Sequence, residues 1–521
     1  MTNLVTNVES TVEAHPDEPA VVYEDYEADY QRLWAEIGGF AAGLSEVGLG
    51  VDDRVGIYLP NLPQFVVAFH GTLQAGGVVV PMNPQYRSRE IEHLLADSGA
   101  KAVVTLADLA PIVESVREDT AVETIITVGE ADVGTEFGSF CGEPQTDIVD
   151  REGDDVAVQP YTSGTTGQPK GVLLTHENLR SNAEMSVSIV PDDITPGDRQ
   201  LGVLPLFHIY GMTVVMNATL FGGGAYYPLP SWDAQEAMGV VEDAELTLMH
   251  GVPAMYNDVI NQSNAESFDL SSLRMCGVGG AGIPVEVVRQ FEELYDAKIY
   301  EGYGLTETSP VTQFNTPERG RRLGSIGKTL PGVSCRIVTD DFEDIPPVSE
   351  GPVDEDDVDL DEITGELVIN GPNVMTGYYN LPAANDEAFT KVDGRRWFHT
   401  GDIGYHDEDG YYYVVDREKH MIVSGGYNVY PREVEELLFE HEAVADAAIV
   451  GIPDDRRGET VKAFIVKTQD SDVTAEEIKQ YCLDSLAAYK HPREVEFVDE
   501  LPRTTTGKVQ KFELRATDTD E

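Results

Sequence analysis

The run Tyr161-Thr-Ser-Gly-Thr-Thr-Gly-Gln-Pro-Lys-Gly-Val172 holds the chain's densest set of anion-binding groups. Gly164, Gly167 and Gly171 let backbone N–H groups approach an anion closely, and Thr162, Ser163, Thr165 and Thr166 add hydroxyl donors. Lys170 adds one positive charge. That inventory suits a triphosphate. It is not a Walker A loop, because the G-x-x-x-x-G-K-[ST] spacing is missing. Gly327-Lys328-Thr329 fails the same test, since Arg322 stands where the first Gly should be. The 11 His show no metal-ligand spacing, so no protein-held metal is expected. The 4 Cys (Cys141, Cys276, Cys335, Cys482) form no CxxC, which fits a reducing cytoplasm.

Charge narrows the ligands further. Lys plus Arg is 35, Asp plus Glu is 93, and the net charge is −58. Nucleic acids and anionic membranes are held by clustered Lys and Arg, and no basic stretch exists here. With 41% hydrophobic residues, 23 Tyr and 17 Phe, the chain is no disordered acidic tail. Lysine is scarce, 12 against 23 Arg, and acids spread along the whole length. This resembles proteins of organisms that keep molar salt in the cytoplasm, where a Debye length of about 3 Å screens self-repulsion.

These groups need a large scaffold. A chain of 521 residues predicts three or four structural units. Residues 30–48 read as an amphipathic helix with Leu33, Ile37, Phe40 and Leu44 on one face. Residues 54–59, 76–80, 102–105 and 124–128 read as strands, and strand–helix alternation to about residue 310 predicts α/β layers with mainly parallel sheets. Residues 340–362 are acidic and Pro-punctuated, as an exposed loop would be, and Asp409–Gly410 marks a hairpin. Beyond a boundary at 416–420 a small α+β unit is expected. It has a helix opened by Pro431, strands at 445–452 and 460–467, and a helix over 475–489 behind the capping box Thr474/Glu477. Two tracts without Asp, Glu, Lys or Arg, 55–86 and 200–232, are interrupted by Pro and Gly and read as buried lining rather than membrane spans. Met1–Ser10 has neither a basic region nor an apolar core, so no secretory signal is expected.

The glycine-rich run, together with seven further motifs in order, is similar to the acyl-adenylate-forming superfamily: acyl-CoA synthetases, peptide-synthetase adenylation domains and luciferases. The motifs are Pro205-Leu-Phe-His-Ile-Tyr-Gly211, Gly279-Gly-Ala-Gly282, Tyr300-Glu-Gly-Tyr-Gly-Leu-Thr-Glu307, Thr400-Gly-Asp402, Asp416-Arg-Glu-Lys419, Gly425-Gly-Tyr-Asn428 and Pro502-Arg-Thr-Thr-Thr-Gly-Lys508. The resemblance spans residues 10–515. It implies a large domain, 1–417, holding ATP and the acyl pocket, and a small mobile domain, 418–521.

The resemblance also implies roles. Lys508 would reach the carboxylate and the α-phosphate during adenylation, with Thr306 as a phosphate contact. Glu307 and Thr166 would hold Mg²⁺ together with ATP. Asp402 would accept the ribose hydroxyls and Arg417 would hold the ribose. Tyr303 would lie on one face of adenine and Gly279, Gly280 and Ala281 on the other, with Glu301, Gly302 and Gly304 completing the nucleotide site. His208, Tyr210 and Gly211 would sit at the acyl pocket. Lys419 would be the hinge, and Gly425 and Gly426 would wall the coenzyme A tunnel. Arg87, Arg89, Lys490 and Arg493 are the nearest basic groups for coenzyme A phosphates. The expected activity is a cytoplasmic carboxylate–CoA ligase using ATP; no Asp stands at 206–212 to hold an amino acid, which favours a fatty or aryl acid, and a fatty acid is the expected substrate. The alternatives are an aryl-acid (coumarate-like) CoA ligase and an adenylation enzyme that loads a carrier protein. Oligomeric state is not readable.

Overall fold

The computed structural model describes residues 3–163, 169–353, 358–424, 427–454, 456–468, 471–486, 488–504 and 509–516, with Ser163, Glu418, Tyr427 and Ala516 described by their backbone alone. Among the described residues there are two nine-stranded sheets and two five-stranded ones. The expected α/β class with mainly parallel sheets and a smaller final unit is present.

One large sheet has the parallel strands Arg54–Tyr58, Val78–Pro81, Ala102–Leu106 and Thr124–Val128 at its centre. The antiparallel strand Pro169–Thr175 and then Gly377–Tyr378 extend one side. The other large sheet runs Met275–Val278, Leu248–Gly251, Arg199–Gly202 and Ala225–Pro228 in parallel. Ile299–Gly304 joins it in parallel, and Val311–Phe314 closes against that strand in antiparallel.

The buried tract at 55–86 explains its own lack of charge. Helix Pro63–Gln74 starts with Pro in its first turn, where no N–H partner is lost, and every residue but Gln64 is buried. Fully burying side chains such as Phe65 and Phe69 contributes about 1.5–3 kcal/mol each. The second tract holds the eight-residue π-helix Tyr210–Asn217, also buried throughout. The two tracts meet where His70 Nε2 lies 3.1 Å from Asn217 Oδ1. No helix among the described residues is long and apolar enough to cross a membrane.

The amphipathic helix spans Tyr30–Glu46, with Asp29 Oδ1 accepting from the Arg32 N–H at 2.7 Å as its cap. Its glycines serve close packing: a Cβ on Gly39 would come 3.3 Å from the Gly142 carbonyl oxygen. Two expectations change. The acidic 340–362 stretch is not simply a loop, because it ends in the short helix Leu360–Ile363 with Leu360 buried. The helix expected over 475–489 ends at Ser485. There Leu486 turns to an extended conformation and packs on the small unit's core, so packing outweighs the helical pattern. That core is built on helix Pro431–Phe439, whose Val434 and Leu438 face strands Val444–Asp454 and Gly458–Lys467.

Candidate active site

The strands deliver the motif residues to one region. Arg395–His406 pairs antiparallel with Tyr412–Arg417, and that register sets Asp402 opposite Arg417. Arg417 Nε is 2.7 Å from Asp402 Oδ1. The Tyr303 hydroxyl donates to Asp402 Oδ2. Three residues expected to hold adenine, ribose and ribose again therefore form one network. Asp402 is only 2% exposed, and both of its oxygens are engaged. Burial, and then the Asp402 charge, push the Tyr303 hydroxyl pKa far above its ordinary value.

Glu307 stands in a single turn of 3₁₀ helix, Thr306–Thr308. Its Oε1 accepts from the Tyr378 hydroxyl at 2.9 Å. The Lys170 ammonium lies 5.0 Å from the centre of the Tyr378 ring. Lys170 itself is placed by pairing with Thr162 across strands Tyr161–Ser163 and Pro169–Thr175. Tyr378 thus ties the expected metal carboxylate to the phosphate-binding run. Sequence reasoning missed it, although it sits in Gly377-Tyr378-Tyr379 in the motif-dense half of the chain. Glu307 Oε2 has no partner among the described residues, which fits one hard oxygen donor offered to Mg²⁺, an ion that takes few protein ligands and completes its shell with phosphates and waters.

On the expected adenine face, Gly280 has φ +84°, a left-handed conformation that favours glycine. A Cβ on Gly279 would lie 3.2 Å from the Tyr210 ring. Gly302 and Gly304 have a further reason to be glycine: side chains there would collide with the Phe314 ring and the Pro310 carbonyl on the antiparallel neighbour. Glu301 is 8% exposed, and burial pushes its carboxyl pKa up to about 7, an effect that the Arg432 charge opposes.

In the acyl motif, a Cβ on Gly211 would stand 2.5 Å from the carbonyl oxygens of Leu204 and Pro205, so the second position of the π-helix calls for glycine. His208 Nδ1 accepts from the Tyr210 N–H at 3.3 Å. The Tyr210 hydroxyl meets His250 Nδ1 at 3.0 Å with the rings edge to face. Burial lowers the His250 pKa to about 4, so it is neutral. Asn61, also missed from sequence, holds this loop by bonding Gly202 O, Leu204 O and Leu206 N.

Lys419 lies in the turn Glu418–His420 just after Arg417. Desolvation and the Arg417 charge lower its pKa, against the pull of Asp402 and Glu307. Gly164, Thr165, Thr166, Gly167, Gly425, Gly426 and Lys508 lie outside the described residues, as does the Ser163 side chain. Arg503, five residues before Lys508, is close enough for its charge to act on Asp258. Lys490 Nζ pairs with Glu433 Oε1 at 2.5 Å.

The AMP-binding enzyme model matches residues 8–379, and the AMP-binding enzyme C-terminal domain model matches residues 433–508. The chain belongs to the AMP-binding enzyme family. It is 35% identical to a long-chain-fatty-acid–CoA ligase of Bacillus subtilis, over 97% of this chain and 92% of that one. It is also 35% identical to a feruloyl-CoA synthase of an Amycolatopsis species, over 96% of both. The crystal structure of ATP-bound MatB from Rhodopseudomonas palustris superposes with a TM-score of 0.90 at 30% identity, covering 100% of this chain and 99% of that one. Apo MatB, at the same identity and coverage, gives 0.78. The arrangement of this chain is therefore closer to the ATP-bound form. The enzyme class read from the motifs, an AMP-forming acid–CoA ligase, is supported.

Proposed function

We propose that this protein is a fatty acid–CoA ligase working in two half-reactions. The observation that carries the reading is the network of Tyr303, Asp402 and Arg417, with Glu307, itself tied through Tyr378 to Lys170, acting on the Arg417 charge. It supports a ribose-accepting carboxylate with phosphate-binding groups nearby. The fatty acid carboxylate attacks the α-phosphorus of ATP, a new O–P bond forms, and pyrophosphate leaves. The thiol of coenzyme A then attacks the acyl carbonyl, a C–S bond forms, and AMP leaves with the oxygen it gained. Charge gathers at the α-phosphate in the first step, so the site works by positioning and electrostatics. Mg²⁺ held with ATP by Glu307 and Thr166 would neutralise phosphate charge. Lys170, Thr162, Ser163, Gly164, Thr165 and Gly167 bind the phosphates, and Thr306 contacts the α-phosphate. Lys508 orients the carboxylate against the α-phosphate. Asp402 and Arg417 hold the ribose, and Gly279, Gly280, Ala281, Glu301, Gly302, Tyr303 and Gly304 hold the base.

A large domain, 1–417, carries these groups, and the small domain, 418–521, turns about Lys419 between the steps. That turn withdraws Lys508 and brings Gly425 and Gly426 to the coenzyme A tunnel. His208, Tyr210 and Gly211 form the acyl pocket. The fatty acid preference rests on the uncharged, buried stretch Met212–Met216 and on relatives such as the Bacillus subtilis ligase. A second reading, an aryl acid, is favoured by the Tyr210–His250 hydrogen bond, which offers a polar end to a hydroxylated ring, and by the feruloyl-CoA synthase. ATP–pyrophosphate exchange with a panel of both acid classes, followed by coenzyme A, separates them. Exchange faster with long-chain fatty acids supports the first, and exchange faster with hydroxycinnamates overturns it. Exchange without any coenzyme A thioester would indicate a carrier-protein acceptor. The acid-rich surface and scarce lysine suit a salt-rich cytoplasm.

A further inference from the structure

Arg432 joins parts of the molecule that the two half-reactions would separate. It is the second residue of helix Pro431–Phe439, the first helix beyond the hinge. Its Nη1 donates to Val414 O at 3.0 Å and its Nε to Glu436 Oε1 at 2.8 Å. Its backbone N–H donates to Asp416 Oδ2 at 3.1 Å. The guanidinium lies against Gly282, the last residue of the adenine motif, where any Cβ would collide with it. The same cation acts on Glu301, whose buried carboxylate also accepts from the Ile283 N–H.

The guanidinium comes from the small unit, while Gly282 beneath it and Val414, whose carbonyl it bonds, belong to the large one. Its charge also favours the ionised form of the buried Glu301 carboxyl. Turning the small unit away removes the cation from Glu301 and uncovers Gly282. Arg432 therefore favours the arrangement present here, the one closer to the ATP-bound relative. Arginine suits the task because its planar fork can lie on a bare backbone and still donate from its edge.

We propose that Arg432 is a positioning residue that docks the small domain on the adenine slot for adenylation. This rests on the two-step reading above, in which the small domain moves. The test measures the two steps separately in the full-length enzyme: ATP–pyrophosphate exchange for the first, and thioester formation from supplied acyl-AMP and coenzyme A for the second. Arg432→Ala is expected to slow exchange about tenfold, by shifting the population away from the adenylating arrangement, and to leave the second step unchanged or faster. Arg432→Lys, which keeps the charge but not the fork, should recover part of the loss. If Arg432→Ala does not fold, Arg432→Gln, which keeps a long polar side chain and removes the charge and the fork, should give the same split. Equal loss in both steps overturns the proposal. Lys508→Ala is the control. If it fails to separate the two steps, the two-step reading itself falls. If it separates them and Arg432→Ala does not, only the role of Arg432 falls.

Discussion

Arg417 Nε sits 2.7 Å from Asp402 Oδ1 across a strand pair, and the Tyr303 hydroxyl occupies the other oxygen of the same carboxylate. The carboxylate proposed to bind ribose is thus held by the residue expected under the base and by Arg417, two residues before the proposed hinge. Removing one partner of a buried ion pair leaves the other charge uncompensated. Arg417→Ala should therefore lower stability by about 3 kcal/mol, the lower end for such a loss, because Arg417 is partly exposed. Urea unfolding measures this, and KM for ATP should rise in parallel. An unchanged unfolding midpoint would mean that the pair contributes nothing.

Tyr378→Phe keeps the ring under Lys170 and removes only the hydroxyl from Glu307. A hydrogen bond to a charged group is worth about 1.5–3 kcal/mol, so the Mg²⁺ concentration for half-maximal exchange should rise about tenfold or more. The melting temperature should fall as well, because the same bond contributes to folding. Unaltered Mg²⁺ dependence would separate Tyr378 from the metal site.

How much of this was legible follows from sequence distance. Residues 300–307 and 400–402 form local motifs, so roles for Tyr303, Glu307 and Asp402 could be expected from sequence, and the structure joins Tyr303 to Asp402. Tyr378 acts through a residue 71 positions away, and Asn61 through one 145 positions away. Neither has a local pattern that announces its partner. Arg432 had no signal either, since an Arg in a first helical turn beside Glu436 reads as a surface pair. The strands were readable from their apolar runs. The end of the helix at Ser485 was not, because the contact of the partly buried Leu486 with the small unit's core leaves no local pattern.

Acid should weaken the core at its buried histidines. Burial holds His70 near pKa 4, against 6.5 when unfolded, and it is bonded to Val66 O and Asn217. A depressed pKa contributes stability that is present above about pH 6.5 and lost as pH falls through 4. Protonation of His70 in the unfolded chain drives that loss. His70→Gln should be less stable than the parent at pH 7, and the gap should close by pH 4.5 in urea titrations. A gap independent of pH would exclude protonation of His70 as the cause.

Salt is the next variable. With a net charge of −58, self-repulsion should fall as KCl screens the surface, so the melting temperature should climb steadily into the molar range. Full stability in salt-free buffer would contradict adaptation to a salt-rich cytoplasm.

The most direct test of the central claim follows one oxygen atom. Fatty acid labelled with ¹⁸O in both carboxylate oxygens is incubated with the enzyme, ATP and coenzyme A, and the products are weighed by mass spectrometry. Attack of the carboxylate on the α-phosphorus predicts AMP carrying one ¹⁸O and acyl-CoA retaining the other. Label in inorganic phosphate with ADP as the nucleotide product, or unlabelled AMP, would contradict an acyl-adenylate.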